Sequence, residues 1–197
     1  AGFIGTHTVI ELIEAGFTPI IVDNFSNSFP FIIENLEKIV NQKLTVYNVD
    51  CNDEKAMDLI FSTEKDIQGI IHFAAYKAVG ESVAEPLKYY KNNVGSLVTL
   101  LELMKKHKVT NLVFSSSCTI YGEPEKLPVT EHSPIKVANS PYGNTKQIGE
   151  EILKDCVHSG QNLKAIALRY FNPIGAHESS LIGELPIGKP NNLIPFI

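Results

Sequence analysis

Five short apolar runs, at residues 19–22, 44–49, 69–75, 111–114 and 165–171, alternate with stretches of helical periodicity. That alternation constrains the fold more than any other feature of the chain. Each run has the length of a strand and is too short for a helix. Most are nearly continuous in apolar residues, the pattern of strands buried on both faces. Strands that alternate with helices form a parallel sheet covered on both sides. The expected class is therefore α/β, Rossmann-like and doubly wound. Ligands of such sheets sit beyond the carboxyl ends of the strands. Here the residues at those ends are Asp23, Asp50, Ala74 to Lys77, Ser115 to Ser117 and Asn172.

The intervening segments carry the rest of the pattern. Gly2 and Gly5 open a helix that runs through Ile10 and Leu12 to Gly16. Helices are also expected over residues 29–41 and 53–65, and as one long element from about Tyr89 to Lys108. The stretch holding Lys77, Gly80, Glu81 and Ser82 reads as a loop. Small glycines before a helix let a pyrophosphate approach its N-terminus, and an acidic residue after the next strand, about 20 residues on, suits a ribose diol. Asp23 stands there. Only the second half of this fingerprint is present, because the preceding strand and first glycine lie before Ala1. Both ends read as cut, so the expectation is a fragment.

The helix after residue 139 holds the most reactive arrangement. Ser140 is a natural N-cap and Pro141 suits the first helical position. The apolar residues Ile148, Ile152, Leu153 and Cys156 then carry the helix to Gly160. Tyr142 and Lys146 fall one turn apart on one face. An ammonium beside a phenol favours phenolate and lowers the tyrosine pKa from about 10, which makes a general base.

Composition excludes several classes. A net charge of -5 gives no basic face for nucleic acid or an anionic membrane. No apolar run reaches bilayer-spanning length and no secretory signal is visible. Cys51, Cys118 and Cys156 form neither a disulfide framework nor a zinc pattern, which fits a reducing, cytoplasmic setting. The six histidines show no ligand spacing, so no metal is expected. His72, inside an apolar run, reads as a hydrogen-bonded core residue.

Taken in order, Gly2-Phe3-Ile4-Gly5, Phe73-Ala74-Ala75-Tyr76-Lys77, Ser115-Ser116-Ser117, Tyr142 with Lys146, and Arg169-Tyr170-Phe171-Asn172-Pro173 with Gly175-Ala176 form a recognisable set. They resemble the extended short-chain dehydrogenase/reductase family, and within it the nucleotide-sugar 4-epimerases. The resemblance covers essentially the whole chain. It implies an NAD-binding Rossmann domain over residues 1–172, lacking its first strand, and the start of a smaller sugar-nucleotide domain over 173–197.

It also implies site residues by position. Gly2, Phe3, Ile4 and Gly5 would meet the NAD pyrophosphate, and Asp23, Asn24, Phe25, Ser26, Asn27 and Ser28 the adenosine ribose. Asp50 and Cys51 would flank the adenine. Phe73, Ala74, Ala75, Tyr76, Lys77, Asn92, Lys146 and Phe171 would lie toward the nicotinamide end. Asn172, Asn192 and Leu193 resemble contacts to a UDP-sugar, and Lys77, Ser117 and Tyr142 would face the same substrate. The implied chemistry is interconversion of UDP-glucose and UDP-galactose by transient oxidation at C4. Tyr142 is its base, Ser117 its bridging hydroxyl, and Lys146 stabilises the phenolate. One charge at about 5 Å and an effective dielectric near 20 is worth roughly 3 kcal/mol, about two pKa units.

Related dehydratases resemble this chain but carry an Asp-Glu pair where Cys118 and Thr119 stand, and decarboxylase relatives a glutamate at Thr119. Neither residue here supplies that acid or base. The alternatives are a 4-epimerase for UDP-N-acetylhexosamine, UDP-xylose or UDP-glucuronate, or a non-catalytic NAD-binding relative. The intact protein is expected to be a homodimer, without nucleic-acid or membrane partners.

Overall fold

The first helix, α1 (Phe3–Glu14), buries Thr6, Val9 and Ile10, the three- and four-residue spacing of a single helical face. The computed structural model describes residues 1–188 and divides into two compact units. The first comprises Ala1–Cys51 and the residues from Asn172 onward. In it β1 (Ile20–Val22) pairs in parallel with β2 (Thr45–Tyr47), with Ile21 opposite Val46. Between them α2 (Phe31–Val40) buries Ile32 and Leu36 and ends at Asn41 in the left-handed conformation. Val9, Ile10, Ile21, Ile32 and Leu36 form the core together with Ile182. The Asn35 side chain donates to the Leu181 carbonyl at 2.9 Å, holding the late segment against α2.

The second unit is Asn52–Phe171. Its helix α3 (Glu54–Thr63) begins at an N-cap, the Asp53 carboxylate accepting from the Ala56 amide at 3.1 Å. Three parallel strands follow in the order β3 (Ile70–His72), β4 (Asn111–Ser115) and β5 (Lys164–Leu168). A doubly wound sheet of order 3-2-1-4-5-6 pairs its second strand with its third, and its fourth, fifth and sixth in sequence. The two sheets found here reproduce those pairings.

Three expectations about elements need correction. The segment read as a loop contains α4 (Val79–Ala84). Tertiary partners stabilise it where propensity does not: Glu81 accepts from Lys88 and from the Tyr89 hydroxyl, each at 2.6 Å. The single long helix is instead α5 (Pro86–Tyr89), a π-turn at Tyr90–Val94, and α6 (Gly95–His107). The extra residue in that turn accompanies the burial of Asn93, whose side chain binds both the amide and the carbonyl of Tyr76. Regular strand pairing in the run at 69–75 stops at His72, so residues 73–75 leave the sheet. The helix over the sheet is α7 (Pro141–His158). Among the described residues no helix is long and apolar enough to cross a membrane, and no cluster of three metal-ligating side chains occurs.

Candidate active site

α7 starts where its sequence dictates. The Ser140 hydroxyl accepts from the Gly143 amide at 3.1 Å, and Pro141 occupies the first helical position. Ser140 is buried, so the lost bond cannot be replaced by water. We expect Ser140→Ala to destabilise the protein by about 1 kcal/mol, read as a lower midpoint in urea with an unchanged slope.

Within this helix Lys146 is only 4% exposed, and its Nζ donates to the Ser115 carbonyl at 2.7 Å. Burial alone lowers its pKa to about 8. The ammonium lies 5.2 Å from the Phe114 ring centre and 5.8 Å from that of Tyr142. It is therefore near the phenol without being hydrogen-bonded to it. The expectation that Lys146 lowers the Tyr142 pKa is not met by the protein alone. Burial raises that pKa, contact with the Ser117 hydroxyl works in the opposite direction, and the lysine is not among the causes. The same low-polarity surroundings that bring the two groups together penalise ionisation of both.

Ser117 is buried at the end of β4. Its hydroxyl oxygen accepts from the Thr119 amide at 3.2 Å and from the Thr119 hydroxyl at 3.0 Å. With both acceptor positions used, its own proton is left to donate, and the Tyr142 oxygen and the Cys118 thiol are both within its reach. The neighbouring serines are also fixed: Ser115 bonds the Tyr170 hydroxyl, and Ser116 donates to Glu150 at 2.5 Å. Beside them a cavity of about 250 Å³ is lined by Cys118, Thr119, Gly122, Ser140 and Phe171, among others. Burial pushes the Cys118 thiol above its usual value, which suits packing rather than nucleophilic attack. His72 is a core residue, as expected. Burial first, and the Lys146 charge second, lower its pKa to about 3, and the Ser96 hydroxyl lies 3.4 Å from its Nε2.

The loop after β3 is positioned by Asn93, whose side chain also donates to Thr145 at 3.2 Å. Thr145 in turn donates to the Tyr142 carbonyl at 2.7 Å. This brings Tyr76 into one bonded network with α7. Asn92 belongs to it through its 3.0 Å bond to Asn93.

The first unit gathers the other predicted residues. Asp23 Oδ1 accepts from the Phe25 amide at 2.7 Å and the Ser28 hydroxyl at 3.0 Å, while Oδ2 lies 2.6 Å from the Ala1 backbone nitrogen. The carboxylate thus stands against the start of α1. Asn24 donates to Asp50 at 3.1 Å and accepts from the Ser26 amide at 3.0 Å. Burial, then the Asp50 and Asp23 charges, push the Cys51 thiol up to about 11. No side chain caps α1, and a Cβ on Gly2 would have no neighbour within 4 Å. A helix N-terminus with no side-chain cap, beside an acceptor carboxylate, fits the pyrophosphate and ribose of a dinucleotide. Asn172 falls in this unit and Phe171 in the other. Asn192 and Leu193 lie outside the described residues.

Sequence reasoning missed Thr119, Asn93 and the buried carboxylate Glu150. Glu150 had a signal: it continues the four-residue spacing of Tyr142 and Lys146 along the same face of α7.

Comparison with known proteins agrees with this arrangement. The family model described as "NAD dependent epimerase/dehydratase family" matches residues 1–186. The chain is 54% identical over 197 residues to a UDP-glucose 4-epimerase of Dictyostelium discoideum, covering all of this chain and 57% of that protein. It is 49% identical over 200 residues to UDP-glucose 4-epimerase 2 of Arabidopsis thaliana, with the same coverage of each. A crystal structure of UDP-glucose 4-epimerase from Bifidobacterium longum, in complex with NAD+ and UDP, superposes with a TM-score of 0.96 at 48% identity, covering all of this chain and 58% of that one. The chain therefore spans a little over half the length of these relatives. With a match across nearly its whole length and the Ser117, Tyr142 and Lys146 cluster in place, the chain belongs to the NAD dependent epimerase/dehydratase family.

Proposed function

We propose that the intact protein interconverts UDP-glucose and UDP-galactose, with NAD as a bound cofactor. The observation that carries this reading is the Tyr142, Ser117 and Lys146 cluster, followed at residues 118 and 119 by groups that are neither acid nor base. Such a site can move a proton at a hydroxyl but has no carboxylate to eliminate water. Identity of 54% to a protein named for this reaction supports it.

The residues take defined parts. Gly2 to Gly5 and Asp23 to Ser28 hold the pyrophosphate and adenosine ribose, with Asp50 and Cys51 toward the base. The charge of Asp23 disfavours a cofactor phosphorylated on that ribose. Lys146 serves the nicotinamide ribose. When bound, NAD would supply the redox chemistry, as acceptor and then donor of the hydride at C4 of the hexose. Tyr142 removes the proton of the 4-hydroxyl and hands it back, and Ser117 holds the shared oxygen in line. The raised Tyr142 pKa means that the phenolate needs positive charge beside it. The Lys146 charge, already present, does not meet that need alone; the cationic nicotinamide ring of bound NAD would add to it. Asn172, Asn192 and Leu193 contribute to the UDP-sugar site. We also read the protein as a cytoplasmic homodimer; its free cysteines suit a reducing compartment.

The test is conversion of UDP-galactose to UDP-glucose by the full-length protein without added reductant, followed by proton NMR. Equilibration of the two sugars is expected. Conversion of UDP-N-acetylhexosamine, UDP-xylose or UDP-glucuronate in place of UDP-galactose would reassign the substrate. NAD bound with no turnover of any of them would make the protein a binding relative.

A further inference from the structure

An ion pair bonded to Ser116, the residue before Ser117, takes no part in the proton transfer described above. Glu150, 4% exposed, receives Arg169 on both carboxylate oxygens: Nε at 2.9 Å on Oε1 and an η-nitrogen at 2.6 Å on Oε2. The other η-nitrogen donates to the Tyr121 hydroxyl at 3.0 Å, and the guanidinium stands 5.3 Å from that ring's centre. Glu150 Oε1 also accepts the Ser116 hydroxyl at 2.5 Å, and Ser116 is 1% exposed.

Two explanations compete. A buried pair can be structural only, and such pairs are often replaceable without loss of stability. The third bond argues for more. Glu150 needs only Arg169 to offset its charge, yet it also takes the hydroxyl of the residue next to Ser117. Burial opposes its ionisation, but bonds from Arg169 and Ser116 more than compensate, so its pKa is lowered and the carboxylate stays charged. Arg169 is likewise held in place by the next residue, since the Tyr170 carbonyl accepts from the Cys118 amide at 3.2 Å. The backbone on both sides of Ser117 is thus tied to α7 and to the end of β5. A hydroxyl that must face a phenol from the next element needs such fixing, because a misplacement of about 1 Å can cost 100-fold in rate.

We propose that Glu150, through Ser116, is a positioning residue that sets the direction of the Ser117 hydroxyl toward Tyr142. This rests on the epimerase reading for its activity measurement but not for its spectroscopic one.

Ser116→Ala in the full-length protein is the decisive variant, because it leaves the Glu150–Arg169 pair intact. We expect kcat for UDP-galactose to fall about 10- to 100-fold with KM within threefold and bound NAD unchanged. Contact with Ser117 lowers the Tyr142 pKa, so loosening it should move the acidic limb of the kcat profile to higher pH. Glu150→Ala should do the same if it folds; if it does not, Ser116→Ala still decides. A kcat within twofold of wild type with an unmoved pH profile would overturn the proposal and leave the pair as structural. If the wild type turns over no UDP-sugar, the functional reading fails separately. The ultraviolet titration of Tyr142, taken as wild type minus Tyr142→Phe, then decides: an upward shift in Ser116→Ala supports positioning, and an identical midpoint refutes it.

Discussion

Replacing Tyr142 by phenylalanine should reduce UDP-galactose turnover of the intact protein by about 10³-fold while leaving NAD bound. The substitution removes one oxygen and keeps the ring, so the packing around it persists. Lys146 does not depend on the phenol, since its hydrogen bond goes to the Ser115 carbonyl. Thr145 bonds the Tyr142 backbone, which the substitution spares. The loss should therefore appear in kcat and not in cofactor content or unfolding midpoint. Activity within tenfold of wild type would assign the base to another group. Ser117 is then the one to examine, because its hydroxyl is in contact with the phenol.

The largest expected effect on stability is at Gly149. In an exposed helix, replacing glycine by alanine stabilises by about 1 kcal/mol. Here the sign reverses. A Cβ at this position would stand 2.6 Å from Phe114 Cζ, 3.0 Å from its Cε1 and 3.3 Å from Leu97 Cδ2. Phe114 is 3% exposed and stacked on His72 with ring centres 6.3 Å apart, so it has no room to withdraw. Overpacking of this kind costs about 1–3 kcal/mol, enough to exceed the propensity gain. For a chain of this size each kcal/mol lowers Tm by about 2–4 °C. Calorimetry of Gly149→Ala should show the drop, and Gly149→Val a larger one. An unchanged Tm would mean that α7 can rise off the sheet, which would also shift Lys146.

What could be read in advance follows from the range of each signal. The start of α7 was legible because capping is local: Ser140 and Pro141 announce it within three residues. Asp23 was legible because its role depends on its place at a strand end. The π-turn at Tyr90–Val94 was not, since one extra residue hardly disturbs apolar spacing over so long a helical stretch. α4 was hidden because its support comes from Lys88 and Tyr89, beyond its own ends. The face shared by Tyr142 and Lys146 followed from helical geometry. The acceptor of the lysine's proton, and hence the direction of the phenol's pKa, depended on how deeply both are buried. Glu150 was visible as a residue, but its bond to Ser116 joins segments 34 positions apart.

The stacking of His72 on Phe114, with the Lys146 ammonium 5.2 Å from the centre of the same Phe114 ring, has an electrostatic corollary. His72 titrates at about 3 and Lys146 at about 8, and the lysine's charge is one reason the histidine stays neutral. Well above pH 3 and well below pH 8 this part of the interior carries a single positive charge, which is lost as Lys146 gives up its proton. A phenol embedded beside it therefore meets a background potential that is steady in acid and fades as pH rises through about 8. pH dependence of the chemistry near neutrality therefore comes from this lysine as well as from the reacting groups, and only in more acidic solution from the reacting groups alone.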